Sequence, residues 1–163
     1  MSGTDLGALR AALVAAAREL DGLGLNRGTA GNVSVRGATA NTYLITPTGM
    51  PPAAIAAADV VAMPLDGDAP LDAASRRPSS EWRFHRDLYR ARPDAGAIVH
   101  THSPFATTLA CLGRGIPPFH YMVARAGGRD IRCAAYATFG TQALSDAAVA
   151  AMADRRACLL ARH

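Results

Sequence analysis

An α/β fold, a mixed sheet covered by helices on both faces, is what this sequence predicts. Three observations lead there. Runs with helical periodicity and short runs with strand pattern are interleaved along the chain instead of segregated. Two strand-like runs near the start, NVSVRG and TYLITP, are joined by a polar turn, which implies antiparallel pairing. Half of the 163 residues are hydrophobic, 18% are charged, and no low-complexity tract or internal repeat interrupts them. That composition suits one domain with a buried core, so residues 1–163 read as a single domain.

Each element has its own warrant. Leu6, Leu9, Leu13, Ala16 and Leu20 recur at helical spacing over residues 5–20, and Gly22 and Gly24 supply a stop. NVSVRG (32–37) and TYLITP (42–47) are the first two strands. DVVAMPL (59–65) is a third, closed by the turn DGDAP. SSEWRFHRDLYRAR (79–92) is an amphipathic helix with serines at its start and Pro93 at its end. AGAIVHTH (95–102) is a buried strand, and the chain after Ser103 returns as a helix through Leu109. DIRCAAYA (130–137) is a further strand, TQALSDAAVAAMADRR (141–156) a helix, and ACLLARH (157–163) a last strand.

Composition removes several classes of function. All 17 basic residues are arginine, so no lysine amine is available for a Schiff base, and carbonyl chemistry here needs another electrophile. The net charge of +4 comes from scattered arginines with no basic stripe among aromatics, which argues against nucleic acid. The apolar N-terminal run carries Arg10, Arg18 and Glu19, is too short to span a bilayer, and leads to no cleavage pattern, so no membrane role is expected. Cys111, Cys133 and Cys158 lack metal or redox spacing and read as small buried hydrophobes of a reducing, cytoplasmic compartment.

Chemistry concentrates in a few stretches. In IVHTHSP, His100 and His102 stand two apart on a strand, so both project to one face and can share one divalent cation. Two polar residues closing an ordinary strand fit the same spacing. His163 ends another apolar strand, and if the two strands are neighbours a third imidazole arrives at the same edge. RGTAGN sets glycines around Thr29 and before Asn32, TPTG offers Thr48 and Gly49, and RPSSEW places Ser79 and Ser80 at a helix start. All three suit an anion, although turns and caps look alike. Glu81 is either a first-turn acid that complements the helix dipole or an acid/base beside the metal. His85, one turn on, reads as a core or supporting histidine.

Taken in order, GTAGNVSVR, ITPTG, PSSEWRFH, VHTHSPFA, PPFHYM, AGG and YATFGT resemble the class II aldolase/adducin family, and within it the L-fuculose-1-phosphate aldolase branch. The likeness runs from about residue 6 to residue 163. It implies a three-layer α/β/α sandwich with a mixed, mostly antiparallel central sheet, assembled as a homotetramer. It also implies zinc- or other divalent-metal-dependent cleavage of a phosphorylated ketose substrate, such as L-fuculose 1-phosphate, to dihydroxyacetone phosphate and an aldehyde. The family's metal histidines fall on His100, His102 and His163. Its acid/base falls on Glu81, also a metal ligand without substrate. Its phosphate loops fall on Thr29, Asn32, Thr48, Gly49, Ser79 and Ser80, and its tyrosine reaching a neighbouring subunit falls on Tyr121. Other members are 4-epimerases, decarboxylases and dehydratases, or non-catalytic adducin-like assembly modules. Epimerases resemble KPSG and SSD where this chain has TPTG and SSE, which favours cleavage. Family members continue past the third histidine, so the expectation is a domain apparently lacking the family's C-terminal segment, binding metal more weakly and turning over more slowly than a longer form.

Overall fold

The computed structural model describes residues 6–73 and 75–163. They fall into two compact units that divide after His102. The first contains helix α1 (Leu6–Gly22), strands β1 (Asn32–Arg36), β2 (Thr42–Ile45) and β3 (Val61–Pro64), helix α2 (Trp82–Ala91) and strand β4 (Ala97–His100). Its sheet has the order β3-β2-β1-β4, and every neighbouring pair is antiparallel. The expected hairpin is present, with Ser34 opposite Ile45 and Arg36 opposite Tyr43.

Strand alternation divides the buried side chains between two helices. Val33, Leu44 and Val60 pack with Leu13, Val14 and Ala17 of α1. Tyr43, Ile45, Val61 and Met63 pack with Trp82 and Tyr89 of α2. A helix therefore covers each face of the sheet, and this unit alone has three α/β/α layers. On β1 the α2 side carries Asn32 and Ser34 instead of aliphatic residues, and both are buried.

Arginine does structural work that the sequence reading did not assign. Arg18 of α1 donates to the carbonyls of Pro52 at 3.3 Å and Ile55 at 2.8 Å, and Arg10 donates to those of Ala57 and Val60. These charges inside an apolar helix thus tie down the two short 3-10 turns at Pro52–Ala54 and Ala57–Asp59. Arg36 closes the other helix. Its guanidinium donates to the carbonyls of Tyr89, Arg92 and Ala95 at 3.0, 3.1 and 3.0 Å, and it lies 4.8 Å from the Tyr89 ring centre. A cation on the last carbonyls of α2 satisfies orphan acceptors and complements the dipole.

The second unit holds helix α3 (Pro104–Cys111), a 3-10 turn at Tyr121–Ala126, strand β5 (Arg132–Ala134), helix α4 (Gln142–Ala151) and strand β6 (Cys158–Leu160). β5 and β6 are parallel, joined by α4 as a crossover of the kind parallel strands require. The Thr141 hydroxyl accepts the Leu144 N–H at 3.3 Å and caps α4. Leu144, Ser145 and Ala148 on its inner face are buried.

Several boundaries differ from the sequence reading. α2 begins at Trp82 and not at Ser79, because Pro78 is held extended by an antiparallel bridge to Pro47 and the Ser79 carbonyl accepts the Trp82 N–H in a turn. β4 stops at His100 and β6 at Leu160, so neither His102 nor His163 lies on a strand. The cysteines are less buried than expected. Cys111 ends α3 exposed, and Cys133 and Cys158 are half-buried on the two-stranded ladder. Burial pushes the Cys158 thiol up to about 11. No helix among the described residues is long and apolar enough to cross a membrane.

Replacing Arg36 with Met is expected to lower stability by about 2 kcal/mol, since three charge-assisted bonds at the end of α2 are lost. Urea unfolding checks this. A lower midpoint at unchanged slope is the expected result, and an unchanged midpoint means water serves those carbonyls equally well.

Candidate metal centre

His100 ends β4 directly opposite Asn32 of β1. Cross-strand partners share a face, so both side chains point towards α2. There Phe84 meets the His100 ring edge-on, with centres 5.6 Å apart. Glu81, the residue just before α2, is buried with 6% of its surface exposed. Its Oε2 accepts from Asn32 Nδ2 at 2.9 Å and lies 3.3 Å from His100 Nε2. The helix start has thus delivered a carboxylate to the mouth of the β1–β4 pair.

His102 reaches the same point by another route. Its backbone N–H donates to the Leu25 carbonyl at 3.1 Å and to Asn26 Oδ1 at 2.9 Å. Its Nε2 stands 2.9 Å from His100 Nε2. Asn26 can approach because of Gly31. A Cβ at residue 31 would come within 2.3–2.5 Å of the Asn26 amide, and φ is +77° there. Two imidazole nitrogens and a carboxylate oxygen are the donors a zinc-type divalent metal takes. Glu81, His100 and His102 fit such an ion.

Behind Glu81 lies a continuous polar chain. His85 is fully buried, with Nε2 against Asn32 Oδ1 and Nδ1 2.6 Å from Ser34 Oγ. Ser34 Oγ is in turn 2.9 Å from the Tyr89 hydroxyl. Burial, with a smaller contribution from His100, depresses the His85 pKa to about 3, so the ring is neutral. Burial likewise raises Tyr89 to about 12.

The three anion-type loops gather at one end of this unit. Thr48 N–H donates to the Arg77 carbonyl at 3.1 Å, and Ser79 N–H to the Thr46 carbonyl at 3.0 Å, which sets TPTG alongside PSSE. Thr29, Gly31 and Asn32 line one hollow with Thr46 and Pro47. Thr29, Gly49 (φ +72°) and Ser80 are exposed, and Thr48 is half-buried. Two candidates face inward instead. The Ser79 hydroxyl accepts the Glu81 N–H at 3.3 Å, and the Asn32 amide is engaged by Glu81 and His85. Tyr121 and His163 lie in the second unit. Tyr121 is 80% exposed, and His163 follows a backbone turn in which Arg162 adopts φ 54°.

Sequence reasoning missed Asn26, Ser34 and Tyr89. Ser34 had a signal, as the second polar residue at alternate positions of NVSVR. Asn26 had none beyond preceding a glycine-rich loop.

Residues 11–163 match the model of the class II aldolase and adducin N-terminal domain. This chain belongs to that family. A 5-methylthioribulose-1-phosphate/5-deoxyribulose-1-phosphate aldolase of Rhodospirillum rubrum is 58% identical over 156 residues, covering 96% of this chain and 68% of that protein. The L-fuculose phosphate aldolase of Escherichia coli K12 is 48% identical over 145 residues, covering 89% and 65%. The chain thus spans about two thirds of the length of these relatives. A solved L-fuculose 1-phosphate aldolase superposes with a TM-score of 0.90 at 40% identity, over 100% of this chain and 74% of the other. The antiparallel sheet and mixed α/β fold are those of this family. Class II aldolases are metal-dependent aldehyde-lyases, and the histidine and carboxylate donors suit that chemistry.

Gly31→Ala and Gly49→Ala share the cost of a left-handed backbone, but only the former drives a methyl into Asn26, since nothing lies within 4 Å of a Cβ at residue 49. We expect Gly31→Ala to weaken divalent-metal binding about 10- to 100-fold by releasing His102, and Gly49→Ala to leave it unchanged. Competition titration against a chromophoric chelator measures both. Equal affinities would show that Asn26 does not hold His102.

Proposed function

We propose that this chain is the catalytic domain of a zinc-dependent aldolase that cleaves a ketose 1-phosphate to dihydroxyacetone phosphate and an aldehyde. The observation that carries the reading is the convergence at the mouth of the β1–β4 pair, where the Glu81 carboxylate lies 3.3 Å from His100 Nε2 and His102 Nε2 lies 2.9 Å from the same nitrogen. His163 supplies the third imidazole in this reading. Held by Glu81, His100, His102 and His163, a divalent metal would supply Lewis-acid stabilisation of the negative charge that develops on the substrate oxygens as the carbon–carbon bond breaks.

The chain's own residues do the rest. Glu81 takes the proton from the hydroxyl that becomes the aldehyde and returns it to the carbon left on the dihydroxyacetone phosphate half, and the Asn32 amide orients its carboxylate for that task. Thr29, Thr48, Gly49 and Ser80, with Asn32 and Ser79 behind them, hold the phosphate. Its binding energy then fixes the reacting end, although the phosphate itself does not react. In a homotetramer the exposed Tyr121 reaches a neighbouring subunit's site. L-Fuculose 1-phosphate is one substrate of this class. The Rhodospirillum relative's name sets 5-methylthioribulose 1-phosphate and 5-deoxyribulose 1-phosphate beside it.

A panel of these three sugar phosphates, each with its unphosphorylated counterpart, tests the reading through coupled detection of dihydroxyacetone phosphate. Release from at least one phosphorylated ketose is expected. Silence across the panel from zinc-loaded protein counts against the proposal. His100→Ala should purify with little zinc by elemental analysis, and stoichiometric zinc in that variant removes His100 from the ligand set. Glu81→Gln keeps the shape and position of the side chain, so it should fold normally yet lose about 10²- to 10⁴-fold in turnover. Ordinary turnover by this variant would return Glu81 to the role of a helix-start acid.

A further inference from the structure

We propose that His85 is a positioning residue that sets the orientation of the Asn32 amide and, through it, the carboxylate of Glu81. The inference rests on the reading of Glu81 as the acid/base, but its evidence is the polar chain beneath the site. Five side chains take part, and each is at least nine-tenths buried: Glu81, Asn32, His85, Ser34 and Tyr89.

Donor and acceptor roles along this chain have one consistent solution. The Glu81 carboxylate accepts, so the Asn32 Nδ2 group facing it donates, at 2.9 Å. Oδ1 of the same amide then faces His85 Nε2, and that nitrogen must carry the proton. A neutral imidazole has only one N–H, so Nδ1 is bare and accepts from the Ser34 hydroxyl at 2.6 Å. The Ser34 oxygen, having given its proton to His85, accepts from the Tyr89 hydroxyl at 2.9 Å. Every link depends on the previous one, and all five side chains are buried.

The position of His85 decides what this order is for. An Asn amide is nearly symmetric in shape and can be turned over. Turned over, Asn32 would aim Oδ1 at a carboxylate, two acceptors facing each other in a buried place. The Nε2–H of His85 opposes that state from the other side of the amide, since it can donate to Oδ1 but not to Nδ2. His85 never touches the substrate position. It favours the end of Asn32 that meets Glu81.

Conservative variants separate this role from simple packing. Gln at 85 carries a donor near the place of Nε2, whereas Asn at 85 imitates only the Nδ1 side and stops short of Asn32. With zinc loading confirmed, His85→Asn is expected to lower kcat about 10- to 100-fold with KM little changed, and His85→Gln to keep most of the turnover. Side-chain nitrogen NMR gives a readout that needs no turnover: wild type should show His85 as the Nε2–H tautomer, and His85→Asn should shift the Asn32 amide protons. A packing role alone predicts that both variants lose activity in proportion to stability in urea. An Nδ1–H tautomer, or normal kcat in a folded, zinc-loaded His85→Asn, overturns the proposal. Glu81→Gln measured alongside keeps the two readings apart. If it retains turnover, the acid/base reading fails and the NMR result still decides the role of His85. If it is inactive while His85→Asn is normal, only the positioning role fails.

Discussion

The contact on which the rest of the site depends is the grip on the Glu81 carboxylate between the Asn32 amide and the His100 ring. Burying a carboxylate is costly unless donors replace the water it loses. Here the replacement comes from two residues that face each other across neighbouring strands, and a helix start brings the acid to them. Remove either partner and a buried carboxylate is left short of a contact, a larger penalty than the net worth of a hydrogen bond.

The same economy governs the α2 side of β1. Val33 and Val35 follow the ordinary rule and face α1 with an apolar surface. Asn32 and Ser34 place two polar side chains under the opposite helix, where each would be destabilising alone. They are tolerable because His85 and Tyr89 of α2 meet them, so every polar atom of the strand's inner side finds a partner. A satisfied buried network of this kind specifies one arrangement, since any shift leaves an acceptor unserved. The apolar face beside it has no such discrimination. Apolar clusters on both faces contribute stability, and the polar chain under α2 adds precision.

Much of this was legible in the sequence, for reasons that particular residues make plain. The alternation of NVSVR and TYLI against each other gave the hairpin, and the periodicity of SSEWRFHRDLYRAR gave α2 to within three residues of its start. His100, His102 and Glu81 each had an ordinary reading as strand-end or helix-start residues, and the ordered blocks that resemble the family are what singled them out. What the sequence did not reveal is how His102 is held. Spacing alone puts it on the strand with His100, yet the ladder ends at His100 and a side chain 76 residues earlier, Asn26, takes over the His102 N–H. No local pattern reports a contact of that separation. The core reading of His85 holds, since the ring is fully buried, but its partners Asn32 and Ser34 lie more than fifty residues earlier and no local pattern names them.

Register is the constraint that makes the assembly all or none. Side chains on a strand alternate with period two, so a one-residue slip of β4 along β1 would turn His100 away from α2 and bring Val99 or Thr101 opposite Asn32 in its place. Glu81 would then face an aliphatic group or a short hydroxyl with no imidazole within reach. Several features oppose such a slip. Ile98 packs into the α2 cluster, Arg36 N–H is bonded to the Gly96 carbonyl at 2.8 Å at one end of the pair, and Asn26 and Leu25 hold His102 N–H at the other. The strand is clamped at both ends and keyed in the middle by an apolar side chain. Its few residues therefore fix the two imidazoles relative to the carboxylate through the backbone, and metal binding needs little further ordering of the chain.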